Sequence, residues 1–211
     1  FGHIDKPAFG CADLDTYFAA YEAERGETVD RARFRFWLVY RTLWWALGCI
    51  QMGDIWRESI DRSLERAVIG RRTSENELDL LLLLEEDAPE AERTSVNLDT
   101  PAPVRRAGEP SSVELLEALR EWIDTDVKAK SEGRDKFMAA VAMNAIGMLI
   151  REQENPVEPY DKALSDALLA GTQSLATPGL LARLRKSALA KLSNDVPKYA
   201  ALNAARQKWT A

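Results

Sequence analysis

The chain has 211 residues, with 28 Lys and Arg against 34 Asp and Glu, a single His and a formal net charge of -6. That length suits one or two domains with a real core, and a 46% hydrophobic share with 29% charged residues is that of an ordinary globular protein. The acidic balance, with no strongly basic segment, excludes a general nucleic-acid footprint, which needs clustered Lys and Arg; Cys11 and Cys49 fit neither a disulfide framework nor a CxxC pair and read as reduced thiols of a cytoplasmic protein.

The opening FGHIDKPAFG has no initiator Met, no basic n-region and no apolar signal segment. It leads straight into a helix, as the interior of a longer sequence would. Asp13 is the expected cap of that first helix and Gly26 its end, with Leu14, Tyr17, Phe18 and Tyr21 on one apolar face. Asp30 is the expected cap of a second helix carrying Phe34, Trp37, Leu38, Trp44, Trp45 and Leu47. Residues 36–53, FWLVYRTLWWALGCIQMG, hold Arg41 centrally and are followed by Asp54. An Arg at the centre of a spanning helix costs about 2.5–3.5 kcal/mol, so the stretch is read as the buried centre of a soluble helical domain and not as a membrane span.

A third helix is expected from Glu58 to Gly70, with Ile60, Leu64 and Val68 inward and Gly70 as the stop. TSENELDLLLLLEED then offers a capping box, Ser74 and Glu77, ahead of a leucine run, with Glu85 and Glu86 as a solvated helix end. Residues 87–110 are rich in Pro and lack any period, which predicts a linker or a surface loop. Order returns with a second capping box, Ser111 and Glu114, and a stripe of Leu115, Leu116, Leu119, Trp122 and Ile123. Further helices are expected from DKFMAAVAMNAIGMLIREQE, with Phe137, Val141, Ala145 and Leu149 in register, and from Tyr160 to Ala170. One more is expected after a Thr177 cap with Pro178 in its first turn, and the last from Pro197 to Trp209. No strand alternation or hairpin signal occurs, so the fold class is all-α.

The chain holds no GxxxxGK[ST] loop, GxGxxG fingerprint, HExxH or GxSxG. One His, His3, in an irregular stretch leaves a Ser-His-Asp or Cys-His mechanism little to work with, and the cysteines read as small buried hydrophobes. No catalytic, cofactor-binding or metal-binding residue is assigned. Arg41 inside a buried helix demands a carboxylate or several carbonyls. The structural reading is an ion pair with a neighbouring helix. The functional one is an anion contact in a ligand groove walled by Trp37, Trp44 and Trp45, which makes Arg41, Trp37 and Trp44 the candidate substrate-binding residues. Asn144, unfavourable in mid-helix, is expected to bond a nearby helix terminus, while Arg134, Arg151 and Lys191 read as solvated or helix-capping charges.

FRFWLVYRTLWWALGCIQMG followed by LERAVIGRRTSENELDLL resembles the C-terminal end of aminoglycoside-phosphotransferase-like kinases, in the branch associated with acyl-CoA dehydrogenases. FGHIDKPAFG resembles the segment after that branch's metal-binding Asp. Residues 111–205, through GRDKF, VAMNAIGMLIRE and ALAKLSNDVPKYA, resemble a small helical family of unknown function found beside or fused to such kinases. The resemblance implies kinase C-lobe-type helices over 1–86, a linker over 87–110 and a separate helical accessory bundle over 111–211. For the parent protein it implies transfer of the ATP γ-phosphoryl group to a hydroxyl, for instance on a hydroxyacyl-CoA, around Mg²⁺. The family's nucleotide lobe, catalytic-loop Asp and Asn and metal-binding Asp have no counterpart in these residues, so this chain alone is expected to be inactive. Its implied partners are the missing N-terminal kinase portion and either a second copy or a partner enzyme. A non-enzymatic helical scaffold or binding protein is the alternative, with Trp37, Trp44 and Trp45 closed inside one core. An exposed apolar patch on the tryptophan-rich helix would separate the two.

Overall fold

The computed structural model describes Lys6, residues 10–98 and residues 111–210. His3 and most of the FGHIDKPAFG segment therefore lie outside the described residues. The architecture is all-α, with no strand element among the described residues. Its helices are α1 (Leu14–Arg25), α2 (Arg31–Arg57), α3 (Leu64–Arg71), α4 (Thr73–Leu84), α5 (Ser112–Trp122), α6 (Gly133–Glu154), α7 (Lys162–Leu169), α8 (Leu180–Asp195) and α9 (Ala200–Thr210).

Local chemistry sets most of the boundaries. Asp13, Asp30 and Asp161 each accept the backbone N–H three residues on, opening α1, α2 and α7. Gly26 ends α1 in the left-handed region, φ 72°. Ser111 and Glu114 form the full reciprocal capping box of α5.

Three expected boundaries are corrected. After α2 the chain reverses through Ser59, at φ 62°. Asp61 then accepts from the Ser63 N–H (2.9 Å) and from Arg66 Nε (2.9 Å), so α3 begins at Leu64 and not at Glu58. Gly70 does not stop that helix; it lies where α3 crosses α2, and a Cβ there would sit 3.1 Å from Gly53 Cα. Gly70→Ala is accordingly expected to cost about 1–3 kcal/mol by forcing the two helices apart, read as a lowered midpoint in urea; an unchanged midpoint would show that the crossing is loose.

The second correction is the Ser74–Glu77 box. Thr73 Oγ1 donates to Gly70 O (2.8 Å) and Ser74 Oγ to Arg71 O (3.1 Å). These hydroxyls close the carbonyl end of α3 instead of capping the amide end of α4. Third, Thr177 does not cap α8: its Oγ1 accepts from Ser174 N (3.0 Å), and Gly179, at φ 75°, turns the chain so that the helix starts at Leu180.

The largest buried cluster draws on both sides of the Pro-rich stretch. Leu78 of α4 and Val96 pack with Leu189, Leu192, Leu202 and Trp209 of α8 and α9. Burial of this apolar surface is the main stabilising term, about 1.5–3 kcal/mol for each large side chain. Residues 88–98 lie across this core: Val96 N donates to Trp209 O (2.6 Å), and Glu92 accepts from the Gly179 N–H (2.6 Å).

Glu85, expected at a solvated helix end, is instead among the most deeply buried residues. It accepts from Trp209 Nε1 (2.6 Å) and Arg185 Nη2 (2.7 Å) and also pairs with Lys208, while Arg185 Nη1 donates to Thr94 O. The neighbouring Glu86 is exposed, as expected. A second polar tie joins α3, α6 and α8: Arg71 bonds Asp195 and Glu152, and Arg151 Nε caps α8 through Asn194 O (2.7 Å). Arg134 pairs with Glu65 and Lys191 with Glu77.

The faces expected to be inward differ most. α2 turns Ala46, Cys49 and Gly53 toward α3 and α4. The opposite side, carrying Phe36, Tyr40, Leu43, Leu47 and Ile50, is exposed, so α2 is not a buried central helix. No helix among the described residues is long and apolar enough to cross a membrane. In the α5–α6 pair Val113 is buried while Leu115, Leu119, Trp122, Phe137 and Leu149 are exposed. Asn144 is exposed as well and bonds no helix terminus among the described residues. Leu116, Ile123, Val141 and Ala145 of the expected stripes are half-buried, so only part of each stripe is covered by a neighbouring helix.

Candidate functional site

An open cavity of about 490 Å³ lies between α2, α4 and the residue just before α9. Successive turns of α2 supply Leu38, Arg41, Thr42, Trp44 and Trp45. Arg72, Glu75, Asn76 and Asp79 come from α4 and its N-cap, and Tyr199 closes the lining. Spacings of three and four residues put the polar α4 positions on one helical face.

The floor is polar and internally bonded. Arg72 holds Glu75 by two parallel bonds, Nε–Oε1 2.9 Å and Nη2–Oε2 3.0 Å, the geometry that suits a guanidinium and a carboxylate. That bond to Glu75 raises the Arg72 pKa further and outweighs the opposing effect of burial. Asn76 Nδ2 donates to Arg72 O (3.1 Å). Tyr199 Oη donates to Asp79 Oδ2 at 2.6 Å. Burial pushes the Asp79 carboxyl above its usual range, with the Tyr199 bond acting against it. Tyr199 is likewise pushed well up, first by burial and then by the neighbouring Asp79 charge, so its hydroxyl stays a donor.

The walls are aromatic. Arg41 is exposed, correcting the expectation of a buried cation, because its side of α2 faces the open cavity and not another helix. Its guanidinium lies 4.6 Å from the centre of the Trp44 ring, and Arg72 stands 5.9 Å from that of Trp45. A guanidinium over an indole keeps its N–H edge available to an anion while the ring fixes its position. Arg41 makes no ion pair among the described residues. Trp37, Trp44 and Trp45 retain 48%, 50% and 40% of their surface.

Of the candidate residues, Arg41 and Trp44 come together here and Trp37 does not. Trp37 belongs to the outer side of α2, where it meets Phe36 and Tyr40 edge-on at 5.4 and 5.5 Å between centroids. The sequence reading missed Arg72, Glu75, Asn76, Asp79 and Tyr199. The four on α4 could have been found, since they follow a helical i, i+3, i+4, i+7 pattern in a leucine-rich segment. Tyr199 arrives from the far end of the fold with no local signal.

No side chain here is arranged as an activated nucleophile. Cys49 is fully buried beside Asn76, and burial raises its thiol pKa, which disfavours the thiolate. Cys11 is exposed, not the buried hydrophobe expected. Among the described residues no group of three or more His, Cys, Asp or Glu could hold a metal ion. The geometry can bind and orient a small molecule between aromatic walls, with a cation at the rim. No family model matches the chain, and no curated protein or solved structure matches it significantly.

Proposed function

We propose that this chain is the non-catalytic C-terminal part of a cytoplasmic phosphotransferase, and that its cavity forms one wall of the site for a hydroxylated acceptor such as a hydroxyacyl-CoA. The observation carrying this reading is the open cavity on α2, the helix at the centre of the kinase resemblance, with the Arg41 guanidinium, which makes no ion pair among the described residues, at its rim and tryptophans as walls. Its volume falls in the range of small-molecule sites. Arg41 would contact an anionic group of the acceptor, and Trp44 and Trp45 its less polar body. The acids of the lining do not fit a nucleotide–Mg²⁺ site, because Glu75 is held by Arg72 and Asp79 is bonded by Tyr199. ATP and Mg²⁺ therefore belong, on this reading, to the kinase portion that the resemblance implies. A self-contained scaffold would enclose the three tryptophans in one core, and their exposure favours the first reading.

The test begins with the intact mass of the natural gene product, followed by ATP-dependent phosphorylation of hydroxyacyl-CoA acceptors by that product. Arg41→Ala is expected to raise KM for the acceptor about tenfold with kcat little changed, the loss of one charge-assisted contact. A gene product no longer than this chain, or an absence of ATP-dependent transfer, would overturn the proposal.

A further inference from the structure

The outer side of α2 adjoins the cavity only at Trp44, which lines both, and its chemistry points to a specific occupant. From Phe36 to Ile50 it presents a continuous apolar stripe, exposed along its length and rimmed by Trp37 and Trp44. The stripe ends in opposite charges. Arg33 lies one turn before Phe36, is exposed, and has no ion-pair partner among the described residues. Asp54 lies five turns beyond Phe36 on the same line of the helix. It bonds Arg57 at 2.6 Å and keeps 49% of its side chain accessible.

We infer that this face is the interface of a two-fold homodimer in which α2 packs antiparallel against α2 of a second copy. Arg33 at one end, and at the other the half-accessible Asp54 carboxylate that also bonds Arg57, bring opposite charges together in the antiparallel sense. With Arg33 opposite Asp54, Tyr40 falls opposite Leu47 and Leu43 opposite Trp44. The two-fold axis repeats the Arg33–Asp54 pair at the other end, as an isologous contact requires. A parallel arrangement would set Arg33 against Arg33 and Asp54 against Asp54. Four half-exposed aromatics and three aliphatics offer roughly 600 Å² of apolar surface per copy, so the pair reaches about 1,200 Å², the lower bound of stable interfaces. The dimer face shares Trp44 with the cavity wall but does not depend on the phosphotransferase reading.

Sedimentation equilibrium on this chain is the test, and a species of twice 23.6 kDa is expected at micromolar concentration. Arg33→Asp and Asp54→Arg alone each bring like charges together at both ends, and each is expected to weaken association about tenfold. R33D/D54R combined restores the opposite-sign pairs and should recover most of the affinity. Leu43→Asp at the centre should give a monomer with an unchanged circular dichroism spectrum, since Leu43 is 46% exposed. A wild-type monomer, a dimer indifferent to Leu43→Asp, or a charge swap that restores nothing would overturn the inference. So would a longer natural product that is monomeric with this face protected from hydrogen exchange, which would make the rest of the same polypeptide the occupant.

Discussion

Glu85→Ala is expected to lower the unfolding free energy by about 3–5 kcal/mol, the largest loss among the substitutions considered. Glu85 is 1% exposed and its carboxylate is the acceptor for Arg185, Trp209 and Lys208. Removing it leaves the Arg185 guanidinium, itself 2% exposed, uncompensated in the interior and orphans the indole N–H of Trp209. The pair need not be a net source of stability. Desolvation of two ions offsets much of their attraction, and replacing both by apolar side chains of similar size is often neutral. Glu85→Met with Arg185→Met should therefore recover part of the stability lost in Glu85→Ala, the remainder being the Trp209 N–H left without its acceptor. Urea unfolding of the single and double variants measures both quantities; a single-variant loss below about 1 kcal/mol would mean that water reaches the cluster.

The second large effect concerns Leu78. Leu78→Ala is expected to cost about 2–5 kcal/mol, the range for deleting a fully buried leucine with partial collapse of the cavity. Leu78 is fully buried against residues of α8 and α9, so the loss should be felt on both sides of the Pro-rich stretch at once. The readout is coincidence: tryptophan fluorescence and far-UV circular dichroism should move together to a lower urea midpoint in one transition. Two separated transitions, with only one displaced, would show that the two segments unfold independently.

How much of this was legible in the sequence depends on how local the cause is. The caps at Asp13, Asp30 and Ser111 were readable because a short polar side chain can act only on the N–H groups within one turn of itself. The all-α class was readable because the apolar period recurs along almost the whole chain. Ser74 shows where such reasoning fails: a hydroxyl at a helix junction can serve the amides ahead of it or the carbonyls behind it, and only the tight α3–α4 turn decides for the latter. α2 shows a different limit. Its apolar residues run nearly all round, and hydrophobicity alone states that a face needs covering, not which elements of this chain do so. Of the site, Arg41 and Trp44 were found on one helix, but the floor required knowing that α4 lies beside α2 and that Tyr199 returns to both.

The passage of residues 88–98 over Trp209 bears on the order of events during synthesis. Glu85 and Trp209 are separated by 124 positions, and Val96 is tied to the carbonyl of that same tryptophan. Chains emerge from the ribosome N-terminus first and tend to fold as they appear, yet here the most enclosed aromatic ring is among the last of these residues to be made. The α4 face that will receive α8 and α9 must wait, apolar and carrying an unmatched carboxylate, until residue 209 has left the exit tunnel. A ribosome stalled before residue 209 has emerged would thus hold a chain with its α2–α4 unit assembled and that docking face open, the state in which chaperone engagement is to be looked for.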